Sequence, residues 1–360
     1  MTNRTVHEKY MQRCLELASL GLGNTAPNPM VGSVIVCDNK IIGEGYHKKN
    51  GEAHAEVDAI NSVKDRSLLK KSTIYVSLEP CSHFGKTPPC AILIAELGIP
   101  NVIIGTIDTA AHVSGKGLKI LRDAGCNVTI GVLENEAREL NKRFFTFHEK
   151  KRPYIILKWA ETNDGFIDKK RENDTQKPAW ITNELSKKLV HKWRSEEQAI
   201  LVGTNTVIAD DPELTARCWD GNSPLRVVLD RNLKLSTDQK VFNDKSETLI
   251  IADSYNKDRE VRSLKSNIGI EYVDYSNDFH TQLLNVLYKR NIQSVIVEGG
   301  EKVLNSFIKN NYWDEARIFY GRMNFNAGVK APVIDAKDLK FEMLGGVKLT
   351  FIKNFDVFNQ

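Results

Sequence analysis

Pro153 is the residue that most limits how this chain can fold. Upstream, residues 134 to 152 (ENEARELNKRFFTFHEKKR) form a charged helical pattern, and downstream Tyr154-Ile155-Ile156-Leu157 reads as a strand. Proline has no N–H for the helical ladder and its ring clashes with the preceding turn, so the helix must stop there. A charged helix end running into an apolar strand is what a domain boundary looks like. The expectation is two domains, 1–150 and 151–360, since 360 residues exceed what one core usually serves.

Each half alternates strand and helix signals. In the first, Tyr10, Cys14, Leu17 and Ala18 predict a helix over 6–20, with Gly21 and Gly23 as its stop. Apolar runs at 31–37, 74–78 and 102–107 follow, separated by helical stretches near 54–63, 90–98 and 116–124. In the second half, strands are predicted near 154–159, 199–203, 226–230, 248–252 and 294–298, and helices near 183–194, 278–289 and 301–310. Both halves read as α/β layers. They share no motif, which points to different tasks.

Composition removes several classes. Apolar residues at 41% and charged residues at 27% are ordinary for a globular protein. No apolar run approaches the roughly 20 residues of a membrane span, and MTNRTVHEKYMQRC has no continuous apolar segment, so a cytoplasmic protein without a membrane partner is expected. The net charge of +4 is spread along the chain, which argues against nucleic acid, and Lys150-Lys151-Arg152 reads as a solvated connector. Six scattered cysteines do not make a disulfide framework. Cys14 and Cys37 sit in apolar patterns as small buried hydrophobes, which leaves Cys81 and Cys90 chemically placed.

His54-Ala55-Glu56 precedes a helical pattern, Pro80-Cys81 follows a strand, and Cys90 comes after Pro88-Pro89. One imidazole and two thiolates suit zinc, and three protein ligands leave a fourth position for water, as in catalytic sites. Each cysteine follows a proline and is expected near a helix N-terminus, where the thiolate is favoured. Glu56, two residues past His54, would move protons from the attacking water to the leaving amine. Any one of these elements alone is unremarkable. In this order they form the H-x-E then P-C signature of zinc nucleobase deaminases. A purely structural zinc site would instead call for four closed ligands and no Glu56.

Eight residues, Ser82 to Pro89, separate the cysteines where P-C-x-x-C is the common spacing. With Pro27-Asn28-Pro29-Met30-Val31-Gly32 and the run Gly51 to Glu56, this loop resembles the deaminase domain of the bifunctional riboflavin-pathway enzymes. The resemblance implies a cytidine-deaminase-like three-layer domain acting on a diaminopyrimidinone that carries ribose 5-phosphate. It places Asn28, His47 and Lys86 in the substrate pocket, with Asp108 as a further candidate. Where the family reads D-P-N-P, this chain has Asp108-Thr109-Ala110-Ala111, so the asparagine contact is replaced by Ala110.

In the second half, Lys158 to Gly165, Trp180-Ile181-Thr182 and above all Val202 to Arg217 resemble the riboflavin-pathway reductase. The resemblance implies a dihydrofolate-reductase-like α/β fold that uses NADPH. Glu298-Gly299-Gly300-Glu301 lies where a strand meets a helix, and backbone N–H groups there can take pyrophosphate. By resemblance, Ala160, Trp180, Thr206, Asp210 and Gly300, Glu301, Lys302, Val303, Leu304, Asn305 and Ser306 border NADPH. Arg194, Leu214, Arg217 and Glu298 contact the substrate, the arginines as forks for phosphate. Thr162 replaces the usual serine, Pro178 stands where a substrate-contacting serine is typical, and no residue stands out as the acid for the sugar oxygen. The expected enzyme deaminates with Zn2+ and then reduces the ribosyl group with NADPH, as a homo-oligomer, dimer or tetramer. The alternative is an active deaminase with a degenerate or structural C-terminal half.

Overall fold

The computed structural model describes residues 3–84, 88–109, 115–170, 179–257, 265–335 and 340–354. The chain divides into two compact units, Met1–Lys151 and Arg152–Gln360.

The first unit runs α1 (Asn3–Ser19), β1 (Gly32–Cys37), β2 (Lys40–Tyr46), α2 (Ala55–Ser62), β3 (Thr73–Leu78), α3 (Cys90–Glu96), β4 (Asn101–Thr106), α4 (Lys116–Asp123), β5 (Asn127–Ile130), α5 (Glu134–Leu140) and α6 (Lys142–Lys150). Its sheet has the order β2-β1-β3-β4-β5. β1 is antiparallel to β2 and β3, and β3, β4 and β5 are parallel. Successive side chains of a strand face opposite ways, so an unbroken apolar run needs cover on both sides. Val34, Val36, Tyr75 and Ile103 pack against Tyr10, Met11, Cys14 and Leu17 of α1. On the other face Ile35, Ile74, Val76, Val102 and Ile104 meet Ala59, Ile60, Ala91, Ile94, Leu118 and Leu121 of α2, α3 and α4. Each such large aliphatic contributes about 1.5–3 kcal/mol by burial.

Three local features set the site. Asp38 and Asn39 take left-handed φ of 50° and 58°, the two-residue turn that closes the β1–β2 hairpin. A Cβ on Gly45 of β2 would lie 2.3 Å from the Ala59 nitrogen, so α2 rests on β2 at backbone distance. The charged stretch expected as one helix is two, parted at Asn141. The Asn141 side chain accepts from the Met30 N–H and donates to the Met30 carbonyl, both at 2.8 Å, pinning the loop that carries Asn28.

The second unit runs β6 (Tyr154–Glu161), β7 (Phe166–Lys169), α7 (Glu184–Glu196), β8 (Ala199–Gly203), α8 (Thr204–Asp210), β9 (Leu225–Leu229), β10 (Thr248–Asp253), β11 (Ile268–Val273), α9 (Phe279–Lys289), β12 (Ser294–Val297), α10 (Glu301–Lys309), β13 (Glu315–Tyr320), β14 (Gly328–Lys330), β15 (Lys340–Leu344) and β16 (Val347–Lys353). The large sheet has the order β11-β10-β9-β8-β12-β6-β13-β16-β15, and β7 pairs with β14 apart from it. From β11 to β13 every neighbour is parallel; β16 and β15 are antiparallel. Ile155, Leu157, Leu201, Val295 and Val297 face Leu283, Leu287, Leu304 and Phe307 of α9 and α10. Tyr154, Ile156, Ile200, Val202 and Ile296 face Val190 and Trp193 of α7.

β12 enters between β8 and β6, so the winding direction of the sheet switches there. In such sheets the crevice beyond the carboxyl ends of the strands at the switch point is where ligands bind. Among the described residues no helix is long and apolar enough to cross a membrane.

Candidate functional site

In the first unit, chemistry gathers at the carboxyl edge of β3 and the start of α2. β3 and β4 are parallel neighbours with Leu78 beside Thr106, so Glu79-Pro80-Cys81 and Ile107-Asp108 leave the sheet side by side. Glu79, buried, accepts from the N–H groups of Gly115 (3.1 Å), Gly117 (3.0 Å) and Leu118 (3.4 Å) at the start of α4. That carboxylate against a helix N-terminus is favourable and locks the strand exit from which Cys81 projects.

His54 is the N-cap of α2, and Cys90 is the first residue of α3. Cys81 begins no helix of its own, unlike the expectation; its sulfur instead accepts the Cys90 N–H at 3.3 Å. The His54 Nδ1 lies 3.5 Å from the Cys81 Sγ and 3.4 Å from the Cys90 Sγ, and the three donor atoms all lie within 4.8 Å of one another. A zinc tetrahedron with bonds of about 2.0 Å to nitrogen and about 2.3 Å to sulfur has a nitrogen–sulfur edge of roughly 3.5 Å. Both the donor chemistry and the spacing fit that ion.

The Glu56 side chain is 3% exposed, and burial pushes its carboxyl up to about 7. The Cys90 thiol's hydrogen bond, with help from His54, pulls Cys81 down to about 4 against its burial, while Cys90 is pushed up.

His47 Nδ1 lies 3.0 Å from the Ala53 carbonyl and Nε2 lies 3.1 Å from the Asn28 amide nitrogen. A carbonyl only accepts, so Nδ1 carries the proton, and burial lowers the His47 pKa, which keeps the ring neutral. Nε2 then accepts from Asn28, and the Asn28 amide oxygen is turned to other donors. The His47 and His54 rings meet edge to face at 5.6 Å. The structure thus joins Asn28, His47, His54, Glu56, Cys81 and Cys90 and sets Asp108, buried, on the neighbouring strand exit. Lys86 and Ala110 lie outside the described residues.

In the second unit a largely buried ion cluster occupies the switch point, its side chains 10–15% exposed. Glu298, just past β12, accepts from Arg194 Nε (3.0 Å) and Nη2 (2.8 Å) and from Lys158 Nζ of β6 (3.4 Å). Despite burial, Arg194 and Lys158 hold the Glu298 carboxyl at about 2, well below the carboxylate range. Burial lowers the Lys158 pKa, and Arg194 adds to that. Arg194 also donates to the Thr215 carbonyl at 3.3 Å, so three of its five N–H groups are taken by the protein. Arg217 is different: 48% exposed, it has only a loose 3.8 Å pair with Glu213.

Beside this cluster, Gly300 caps α10 with no side-chain oxygen, and its N–H donates to Thr206 Oγ1 of α8 at 3.0 Å. A Cβ on Gly299 would sit 2.7 Å from Val303, so only glycine lets α10 begin there. A cavity of about 390 Å³ adjoins this turn, lined by Lys302, Val303 and Ser306 with Tyr275, Phe279 and His280. A lysine, a serine hydroxyl and aromatic walls are groups that suit a phosphate and a base. Glu301 and Asn305 hydrogen-bond each other along α10 at 2.6 Å. Leu304 is fully buried in the core, so only its backbone can face a cofactor. Ala160 lies near the end of β6, Asp210 ends α8, and Leu214 is buried with a left-handed φ of 56°. Trp180 is 64% exposed under Lys187, and Pro178 lies outside the described residues. The Thr162 hydroxyl accepts the Phe166 N–H at 3.0 Å, fixing its own loop.

Residues 4–106 match the family of the cytidine and deoxycytidylate deaminase zinc-binding region, and residues 153–327 match the RibD C-terminal domain. The riboflavin biosynthesis protein RibD of Aquifex aeolicus is 39% identical over 363 residues, covering 98% of this chain and 99% of that protein. The chain belongs to the RibD family. RibD of Bacillus amyloliquefaciens is 41% identical over 318 residues, 88% of this chain and 84% of that protein. A crystal structure of a diaminohydroxyphosphoribosylaminopyrimidine deaminase/5-amino-6-(5-phosphoribosylamino)uracil reductase from Thermotoga maritima superposes with a TM-score of 0.86 at 38% identity, covering 98% of this chain and 99% of that one. As a RibD family member the chain is a bifunctional deaminase and reductase of riboflavin biosynthesis, with a cytidine-deaminase-like and a dihydrofolate-reductase-like fold, using Zn2+ and NADPH.

Lys158, Glu79 and Asn141 were not assigned roles from sequence. A lone lysine within Tyr154-Ile155-Ile156-Leu157-Lys158-Trp159-Ala160 was the available signal, since a charge buried in a strand must find a partner.

Proposed function

We propose that residues 1–150 deaminate 2,5-diamino-6-(5-phosphoribosylamino)pyrimidin-4-one and that residues 151–360 reduce the resulting 5-amino-6-(5-phosphoribosylamino)uracil to the ribitylamino product. The observation that carries the first step is the three-donor cluster with Glu56 buried beside it. His54, Cys81 and Cys90 hold the metal; zinc, when bound there, supplies Lewis acidity that brings the pKa of water near neutral. Glu56, poised at about 7, takes the proton from the attacking water and gives it to the departing amine, which leaves as ammonia. Asn28, ordered by His47, reads the ring edge with its amide oxygen, and Asp108 and Lys86 complete the pocket, Lys86 toward the phosphate.

In the second step NADPH supplies the reducing equivalents. Ala160, Trp180, Thr206, Asp210 and the Gly300–Ser306 turn border it. Lys158 is the acid: buried, with a lowered pKa and held by Glu298, it protonates the sugar oxygen that leaves the ribosyl C1′ as that carbon is reduced. Arg194 acts through Glu298, while Leu214 shapes the pocket and Arg217 takes the phosphate. The enzyme works in the cytoplasm as a homodimer or homotetramer, without nucleic-acid or membrane partners. Phe341 and Met343, both 59% exposed on edge strand β15, are apolar surface suited to a second copy.

The test supplies zinc-loaded enzyme with the diaminopyrimidinone and follows ammonia and NADPH absorbance together. Both signals are expected, with one NADPH consumed per ammonia. Ammonia without NADPH consumption refutes the reductase half; neither signal refutes the deaminase half, and 5-amino-6-(5-phosphoribosylamino)uracil supplied directly then decides the reductase half.

A further inference from the structure

A sugar phosphate at the reductase site brings close to two negative charges, and the two arginines expected to meet it are not equally free. Arg194 commits three of its five N–H groups, two to Glu298 and one to the Thr215 carbonyl. Arg217 alone is exposed, and its tie to Glu213 is weak because Lys245 lies closer to that carboxylate, at 2.5 Å. One open guanidinium and the two uncommitted Arg194 N–H groups leave room at the phosphate oxygens for further polar groups.

Two stand next to it. His191 lies one turn before Arg194 on α7 and is 3% exposed; its Nδ1 is buried without a hydrogen-bond partner. Thr215, 4% exposed, has its Oγ1 in the same condition. Leaving a buried polar atom unpaired costs about 1–3 kcal/mol, a cost a ligand partner would remove. The charged groups acting on the His191 ring are Arg194, Arg217 and Glu298, and the Thr215 carbonyl faces it. Burial and the two guanidiniums keep the ring neutral, down to about 4.

We propose that His191 and Thr215 complete the phosphate subsite of the reductase beside Arg217. The inference rests on the reductase assignment above. Thr215 Oγ1 donates to one phosphate oxygen. His191 Nδ1 and a second oxygen share one proton, brought by the phosphate monoanion or taken from solvent, since a phosphate monoester has its second pKa near about 6.

The experiment measures KM and kcat for 5-amino-6-(5-phosphoribosylamino)uracil and for its dephosphorylated form in wild type, His191→Gln, His191→Asn and Thr215→Val. Gln removes the polar atom at the Nδ1 position, whereas Asn keeps one there. NADPH binding and the melting temperature serve as checks on folding. Expected is a KM about tenfold higher for the phosphorylated substrate in His191→Gln and about fivefold higher in Thr215→Val, with partial rescue by His191→Asn. The dephosphorylated substrate should be unaffected. Equal losses on both substrates, or none on either, would overturn the proposal. If wild type reduces neither substrate, the reductase assignment fails, and calorimetric binding of ribose 5-phosphate still decides the subsite: His191→Gln must weaken it.

Discussion

The two sites solve the problem of buried polar groups in opposite ways. In the first unit the reactive groups sit at element starts, His54 capping α2 and Cys90 opening α3, and they face one another at 3.4–3.5 Å. In the second unit the charges neutralise each other inside the protein: Glu298 takes Arg194 and Lys158, and only Arg217 stays open. A site of donors awaiting one metal ion can be spelled in short motifs. A site of mutually paired charges draws its members from residues 104 and 140 positions away. The lesson is that pairing, not residue type, decides which charges remain to meet a ligand.

Glu56→Gln, which keeps shape and removes the proton carrier, should separate the two sites most sharply. Deamination should fall by about a thousandfold, measured as ammonia release, while reduction of supplied deaminated intermediate stays at the wild-type rate. Loss of both activities would mean that the two sites are not chemically separate. Next in size is Lys158→Met, which should lower reductase kcat by about a hundredfold and leave ammonia release unchanged. A change in KM alone would make Lys158 a binding residue and return the acid to an unassigned group. Smaller again is Glu79→Gln, which weakens the charge-assisted contacts at the start of α4 and should cost about 1–2 kcal/mol in unfolding experiments. A larger fall in zinc affinity than in stability would show that Glu79 chiefly orients Cys81.

Legibility followed the same division. The unbroken apolar runs Val34-Ile35-Val36 and Tyr154-Ile155-Ile156-Leu157 read as strands of α/β layers, and the structure covers them on both faces, as side chains that alternate sides require. β2 was not foreseen, since it opens with exposed Lys40 and contains Gly43 and Gly45, whose purpose is the close approach of α2. β13 hid because Glu315 and Arg317 interrupt its apolar pattern, and those two are buried together at 2.7 Å. β15 has no buried face to read. At the sites, the H-x-E and proline–cysteine spacings were readable because chemistry demands them locally. Lys158, His191 and the true partner of Arg194 depend on which strands become neighbours, and β12 reaches β6 and β8 only by crossing over.

The smallest effect tests whether the ion cluster is a stabilising element. The Glu298 carboxyl is depressed from 4.5 to about 2, so its contribution to folding is complete above 4.5 and is lost as the pH falls toward 2. Wild type should therefore lose stability steeply through that acid range. Glu298→Gln starts lower, because Arg194 and Lys158 are left buried without their counter-charge. Its midpoint of denaturant unfolding should nevertheless fall less between pH 5 and about pH 3, since the group that titrates is gone. Parallel slopes in the two proteins would place the acid sensitivity elsewhere and reduce the cluster to a device for positioning Lys158. A flattened slope would show that the groups that orient the acid also hold the central strands together, so that in this unit the site and the core are built from the same pairings.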